Sequence, residues 1–157
     1  MVYVGIHKKG EFTFSELLKS VKERSDFHRA GAIATFVGVV RGETLDGEDV
    51  TGLELEAYEE QANKVLGGIC GELKKREGVV DVQIHHFIGK FTVGEDLVYV
   101  VVAGAHRQNV FGVLQEAVER YKSETPVFKK EHLVDEAGAK EAYWVSEREA
   151  QQKRGKK

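Results

Sequence analysis

Strand-forming runs in this sequence arrive in pairs between helices, and that order constrains the fold more than any single motif. Gly31–Val40 is apolar and β-branched, so it reads as a buried strand. Val50–Tyr58 alternates Leu53, Leu55 and Ala57 with Glu54 and Glu56, the pattern of a half-exposed strand. The polar loop Arg41–Asp49 joins these two runs in what reads as a hairpin. Val79–Ile88 and Leu97–Ala103 are a second pair about a turn at Gly94-Glu95-Asp96. Val127–Val134 and Glu141–Val145 are a third, about a turn over Asp135–Lys140. Strands joined by short turns pair antiparallel, whereas parallel neighbours need a long crossover.

Amphipathic helices separate these pairs. Phe14, Leu17, Leu18 and Val21 recur at helical spacing and predict a helix over Ser15–Ser25. Thr13 is its N-cap, with Glu16 three residues on completing a capping box. Ala62, Val65, Leu66, Ile69, Cys70 and Leu73 form one stripe of a second helix. Gly67, Gly68 and Gly71 on that helix mark either a close approach to a neighbour or merely a weak helix. A third helix, Gln108–Lys122, shows the clearest stripe: Val110, Phe111, Leu114, Ala117, Val118 and Tyr121. Pro126 stops it, because the residue before proline avoids the helical region. With a short edge strand over Val2–His7, the order is β-α-β-β-α-β-β-α-β-β, an α+β pattern with an antiparallel or mixed sheet.

Several function classes are excluded early. One Cys allows no internal disulfide, and six scattered His show no zinc-ribbon spacing. Walker, GxGxxG, HExxH and GxSxG signatures are absent. His85-His86 sits in an apolar strand, where adjacent side chains face opposite ways, so one buried and one exposed His is expected rather than a metal pair. Cys70 lies on an apolar stripe and reads as a core hydrophobe. No apolar run approaches the roughly 18 residues that span a bilayer, and the first ten residues lack a signal-peptide pattern. The expectation is a soluble cytoplasmic protein with one domain over residues 1–150 and a charged tail over 151–157. A net charge of −3 argues against a dedicated nucleic-acid binder. The charge is uneven: residues 120–157 hold 10 Lys/Arg against 7 Asp/Glu, the preceding 119 hold 13 against 19. A basic end on an acidic body suggests an anion site or a sticky tail.

The candidate anion ligands are few. His106 and Arg107 fall where a strand ends and a helix starts, and helix starts attract anions. Arg107 adds a forked donor suited to phosphate. Lys122 closes the same helix about 22 Å away. Lys129-Lys130 follows on an extended segment, so only one of the two can enter a given cleft. Arg41 ends a buried strand, from which a long cation can reach a site. Two readings stand: solvated surface cations, or an anion pocket whose amines do nucleophilic or acid–base work.

The runs FVGVVR (Phe36–Arg41), LELEAYEEQA (Leu53–Ala62), IGKFTVGE (Ile88–Glu95), AHRQNVFG (Ala105–Gly112) and YKSETPVFKKE (Tyr121–Glu131) resemble, in order and spacing, the large catalytic subunit of molybdopterin synthase. The resemblance covers roughly residues 3–150. It implies an α/β-hammerhead fold with an added antiparallel β-subdomain. It implies a heterotetramer, with a central self-dimer and a small ubiquitin-like subunit ending in Gly-Gly at each end. The implied reaction inserts two sulfurs, carried as a thiocarboxylate on that tail, into cyclic pyranopterin monophosphate to form the dithiolene of molybdopterin. No permanently bound cofactor or metal, no nucleic acid and no membrane are implied. Lys122 and Lys129 match the two catalytic lysines. Val39, Val40, Arg41, His106, Arg107, Lys130, Glu131 and Arg148 match substrate-binding positions, with His106 and Arg107 often supplied across the dimer. Where the family often has His-Arg, this chain has His86-Phe87. The rival reading is a non-catalytic docking module for a ubiquitin-like tail.

Overall fold

The computed structural model describes residues 3–134 and 140–146, with side chains described for residues 3–133. In chain order these form β1 (Gly5–Lys8), α1 (Phe14–Lys22), a 3-10 turn (Phe27–Arg29), β2 (Ala32–Val39), β3 (Asp49–Ala57), α2 (Glu59–Lys74), β4 (Val79–Thr92), β5 (Asp96–Gly104), α3 (Arg107–Glu124), β6 (Val127–Val134) and β7 (Lys140–Ser146). The α+β class and the order of strands and helices agree with the sequence reading. The capping box of α1 is present: Glu16 N–H donates to Thr13 Oγ1 and Thr13 N–H to the Glu16 carboxylate, both at 3.2 Å.

The expected hairpin of β2 with β3 does not form. β2 pairs antiparallel with β5, from Ala32↔Gly104 to Val39↔Asp96, while β3 pairs with β4 and β6. The sheet order β2-β5-β4-β3-β6-β7 therefore puts two strands between them, with β1 added parallel to β4. The physical reason lies in the connection. Its residues close a turn of their own: Gly47 N–H donates to Thr44 O, Glu48 N–H to Thr44 Oγ1, and Thr44 N–H to Glu48 O. That small loop lets the chain leave one half of the sheet and enter the other. β4 joins the halves. It pairs with β5 over Val79–His86, with β1 over His85–Ile88 and with β3 over Gly89–Thr92. The handover falls on Gly89, whose φ of +132° only glycine adopts readily.

Two apolar layers cover the sheet. On one face Leu66, Ile69, Cys70 and Leu73 of α2 and Val110, Val113, Ala117 and Tyr121 of α3 pack on Val82, Ile84, Val98, Val100 and Val102. On the other, Leu17 and Val21 of α1 pack with Leu53, Leu55, Phe87, Phe91, Tyr99 and Val101. Phe111 departs from the predicted stripe and stays 64% exposed, because Val113 takes the inward place. The glycines of α2 pack against nothing: a Cβ added at Gly67, Gly68 or Gly71 meets no atom within 4 Å. The weak-helix reading holds there.

Both faces of β4 are covered, and this corrects the expectation for His85-His86. Both imidazoles are buried, at 0% and 3% exposure, on opposite faces. His85 belongs to a polar chain crossing the α1 face. His7 Nδ1 meets the Glu11 carboxylate at 3.2 Å and His7 Nε2 meets His85 Nδ1 at 2.9 Å. His85 Nε2 meets Gln83 Oε1 at 2.8 Å, and Gln83 Nε2 donates to Asp81 at 2.7 Å. Carboxylates accept at both ends, so one imidazole must donate from both nitrogens. Burial, then the charge on His7, push His85 down to about 3. Phe87 faces the same side, stacked among His7, Phe12 and Tyr99.

Candidate active site

α3 sets the site. Its buried Val110, Val113, Ala117 and Tyr121 hold it on the sheet, and Lys122 follows Tyr121 at the edge of that contact. The Lys122 ammonium lies 5.9 Å from the centre of the Phe36 ring on β2. Thr125 then leaves the helical region at ψ 129°, Pro126 turns the chain, and β6 begins beside Ala57.

On β6 the two-residue period sorts the cations. Lys129 stands opposite Leu55 and Glu131 opposite Leu53, on the face whose Val127 and Leu133 are buried. Lys130 stands opposite Glu54 on the other face, where His132 Nε2 meets the Glu54 carboxylate at 3.2 Å. A cleft of about 130 Å³ opens between α3, the end of β2 and β6. Lys122, Lys129 and Glu131 line it, half-buried, together with Val39, Val40 and exposed Arg41. Backbone bonds fix the Arg41 side of the cleft: Val40 N–H donates to Glu95 O at 3.0 Å and Gly94 N–H to Val40 O at 2.9 Å.

Six of the sequence-predicted site residues thus meet in one cleft: Val39, Val40, Arg41, Lys122, Lys129 and Glu131. Lys130 does not join them, because it faces the opposite side of its strand. His106 and Arg107 are exposed at the far end of α3, about 22 Å from Lys122 by helix rise. There His106 N–H donates to Asn109 Oδ1, and Asn109 Nδ2 to Glu77 O, so the helix start is held by its own cap. Within one chain they are not part of the cleft. Arg148 lies outside the described residues.

Sequence reasoning assigned no site role to His86, Tyr121 and Phe36, which also line the cleft. Period two on β4 puts His86 on the face opposite His85 and Phe87, but with both faces buried it does not say which one meets α3. The His86 ring packs edge-on against Tyr121 with centroids 5.8 Å apart.

Chemically, three cations from three different elements face a space closed on its inner side by Leu53, Leu97 and Val98. Two carboxylates, Glu43 and Glu131, only partly offset them. Such a wall suits an anionic substrate, and its apolar floor strengthens each charge interaction. Thiol chemistry by Cys70 is excluded by position: it is buried under α2, and burial pushes its thiol up to about 12. Among the described residues no group of three or more His, Cys, Asp or Glu is placed to hold a metal, and no helix is long and apolar enough to cross a membrane.

Comparison with known proteins identifies the family. Residues 7–124 match the MoaE protein family. A probable molybdopterin synthase of Haloferax volcanii is 41% identical over 120 residues; these are 76% of this chain but 44% of that longer protein. A molybdopterin synthase catalytic subunit of Culex quinquefasciatus is 33% identical over 141 residues, 88% of each chain. The crystal structure of molybdopterin synthase from Staphylococcus aureus superposes with a TM-score of 0.76 at 29% identity, covering 92% of this chain and 98% of the other. A complex of subunits 1 and 2 of molybdopterin-converting factor from Helicobacter pylori superposes at 0.68 and 26% identity, covering 82% and 83%. The chain belongs to the MoaE protein family, whose relatives named here are molybdopterin synthases and their catalytic subunits.

Proposed function

We propose that this chain is the catalytic subunit of a molybdopterin synthase. It takes two sulfurs from the thiocarboxylated Gly-Gly tail of a small ubiquitin-like subunit and delivers them to cyclic pyranopterin monophosphate, forming a dithiolene. The observation that carries this reading is the meeting of Lys122 from α3 and Lys129 from β6 in one cationic cleft of a MoaE chain.

Both reactants are anions, a cyclic phosphate and a thiocarboxylate. Arg41 and Lys129 bind and orient them, and Lys129 balances the charge that grows as the phosphate ring opens. Lys122 polarises the acyl group or moves a proton as sulfur leaves it. His106 and Arg107 reach the substrate from the second copy of a central self-dimer, which resolves their distance from Lys122 within one chain. Arg148 adds a further cation. The small partner is supported by the two-subunit complex of the Helicobacter pylori relative. The assembly is a cytoplasmic heterotetramer that holds no resident cofactor.

The test is co-purification with a ubiquitin-like protein ending in Gly-Gly, followed by dithiolene formation from the cyclic precursor. A complex that forms product supports the proposal. A complex that binds the tail and makes none favours the docking-module reading.

A further inference from the structure

Arg41 lines the cleft just beyond Val39, the last residue of β2, with its side chain exposed. A long exposed cation is aimed only as well as its backbone is held. Here the backbone is held on both sides. Val40, before it, is 4% exposed, so its main-chain polar groups need protein partners. The turn between β4 and β5 supplies them: Val40 N–H donates to Glu95 O at 3.0 Å, and Gly94 N–H donates to Val40 O at 2.9 Å. After it, Gly42 O accepts from Val50 N–H at 2.9 Å.

That turn is closed by the side chain of Glu95. Glu95 N–H donates to Thr92 O at 3.2 Å, and Thr92 N–H donates back to the Glu95 carboxylate at 2.7 Å. Gly94, between them, takes a φ of +89°. The same carboxylate oxygen accepts from Lys9 Nζ at 2.8 Å. Lys9 belongs to the connection between β1 and α1. Its ammonium also donates to Lys90 O at 2.9 Å and lies 5.3 Å from the centre of the Phe91 ring. Glu95 thus closes the turn with its carboxylate and seats Val40 with its carbonyl. An exposed ion pair adds little to stability, so the consequence of this one is positional. From this geometry we infer that Glu95 is a positioning residue for anion binding: tied to Lys9, it braces the β4–β5 turn that seats Val40, and so fixes the root from which Arg41 meets the substrate. This inference rests on the proposed synthase function, in which Arg41 binds an anionic reactant. Glu95 takes part in no bond of the reaction, so its loss weakens binding more than turnover.

The test uses the reconstituted complex with thiocarboxylated carrier and cyclic pyranopterin monophosphate. Glu95→Ala removes the acceptor shared by Thr92 and Lys9. KM for the cyclic precursor is expected to rise about 3- to 10-fold, the scale of one lost hydrogen bond, with kcat within about twofold. Glu95→Gln keeps an acceptor oxygen at the same reach and should recover most of the loss. In an Arg41→Ala background, Glu95→Ala should add nothing to KM, because the residue it acts through is gone. Wild-type KM in a folded Glu95→Ala complex would overturn the inference. So would a full additional loss in the Arg41→Ala background, the mark of a general structural effect. Amide hydrogen exchange of the wild-type chain tests the brace should the variant fail to fold: protection of Val40, Thr92 and Gly94 is expected, and fast exchange at Thr92 refutes the carboxylate bond. Backbone ¹⁵N relaxation at Arg41 reads the brace without any turnover: greater mobility in Glu95→Ala is expected, and unchanged mobility refutes it. A wild-type complex that makes no product overturns the synthase reading instead, and the relaxation measurement still decides the brace.

Discussion

Acidification from pH 7 to pH 5 is expected to cost the fold about 2 kcal/mol through one imidazole, that of His85. The ring is fully buried, donates from Nε2 to Gln83 Oε1 and accepts at Nδ1 from His7. Burial first, and the His7 charge second, hold it down to about 3 from an ordinary 6.5. The unfolded chain therefore binds a proton below pH 6.5 that the folded chain refuses until about pH 3. Stability from this group is complete above 6.5 and falls as pH drops toward 3, at about 1.4 kcal/mol per pH unit. Between 6.5 and 5 that comes to about 2 kcal/mol. The carboxyls of Glu11, Asp26 and Glu95 are held low by hydrogen bonds from Lys8, Arg24 and Lys9 respectively, so their contributions are lost only at lower pH. Urea unfolding at pH 7, 6 and 5 measures the effect, with His85→Gln as the non-titrating reference. The variant is expected to be less stable at pH 7 by about 1–3 kcal/mol, since His7 and Gln83 lose a partner. Its stability should fall by about 2 kcal/mol less across the range. Parallel pH dependences in the two proteins would refute the buried neutral imidazole.

Other substitutions separate neighbouring readings. Lys129→Ala should lower sulfur transfer about 100-fold or more, while Lys130→Ala, on the opposite face of β6, changes it only severalfold; equal losses in the transfer assay would contradict the strand register. Gly67→Ala, Gly68→Ala and Gly71→Ala should each stabilise α2 by about 0.5–1 kcal/mol, read as a rise in Tm, because the added methyl meets nothing. Gly38→Ala should destabilise by about 1–3 kcal/mol, since its Cβ would sit 2.5 Å from Val98 Cγ1 in the floor of the cleft; an unchanged Tm would contradict that packing.

Much of the fold was legible because period and punctuation agree locally. Thr13 and Glu16 announce the start of α1, Pro126 the end of α3, and alternation the faces of β3 and β6. Strand partnership was not legible. Nothing in Gly31–Val40 says that its partner is β5 and not the next run, because pairing is decided by which faces need cover, a property of the whole sheet. The same limit hid His86. An apolar strand buried on both sides carries no alternation to tell a cleft-facing histidine from a core one. The relay through Asp81, Gln83 and His85 does follow period two, yet its partner His7 is brought from 78 residues away by the parallel pairing of β1 with β4. The cleft lysines were legible as a pair only through the family resemblance. Spacing alone allows Lys129 or Lys130, and the register with β3 selects Lys129.

The proposed role of Lys122 in sulfur transfer at this cleft is open to one direct measurement. The direct measurement is single-turnover dithiolene formation by the Lys122→Ala complex, alongside gel filtration with the thiocarboxylated carrier. An intact complex with transfer reduced at least about 100-fold is expected. An intact complex that forms dithiolene at the wild-type rate would contradict it.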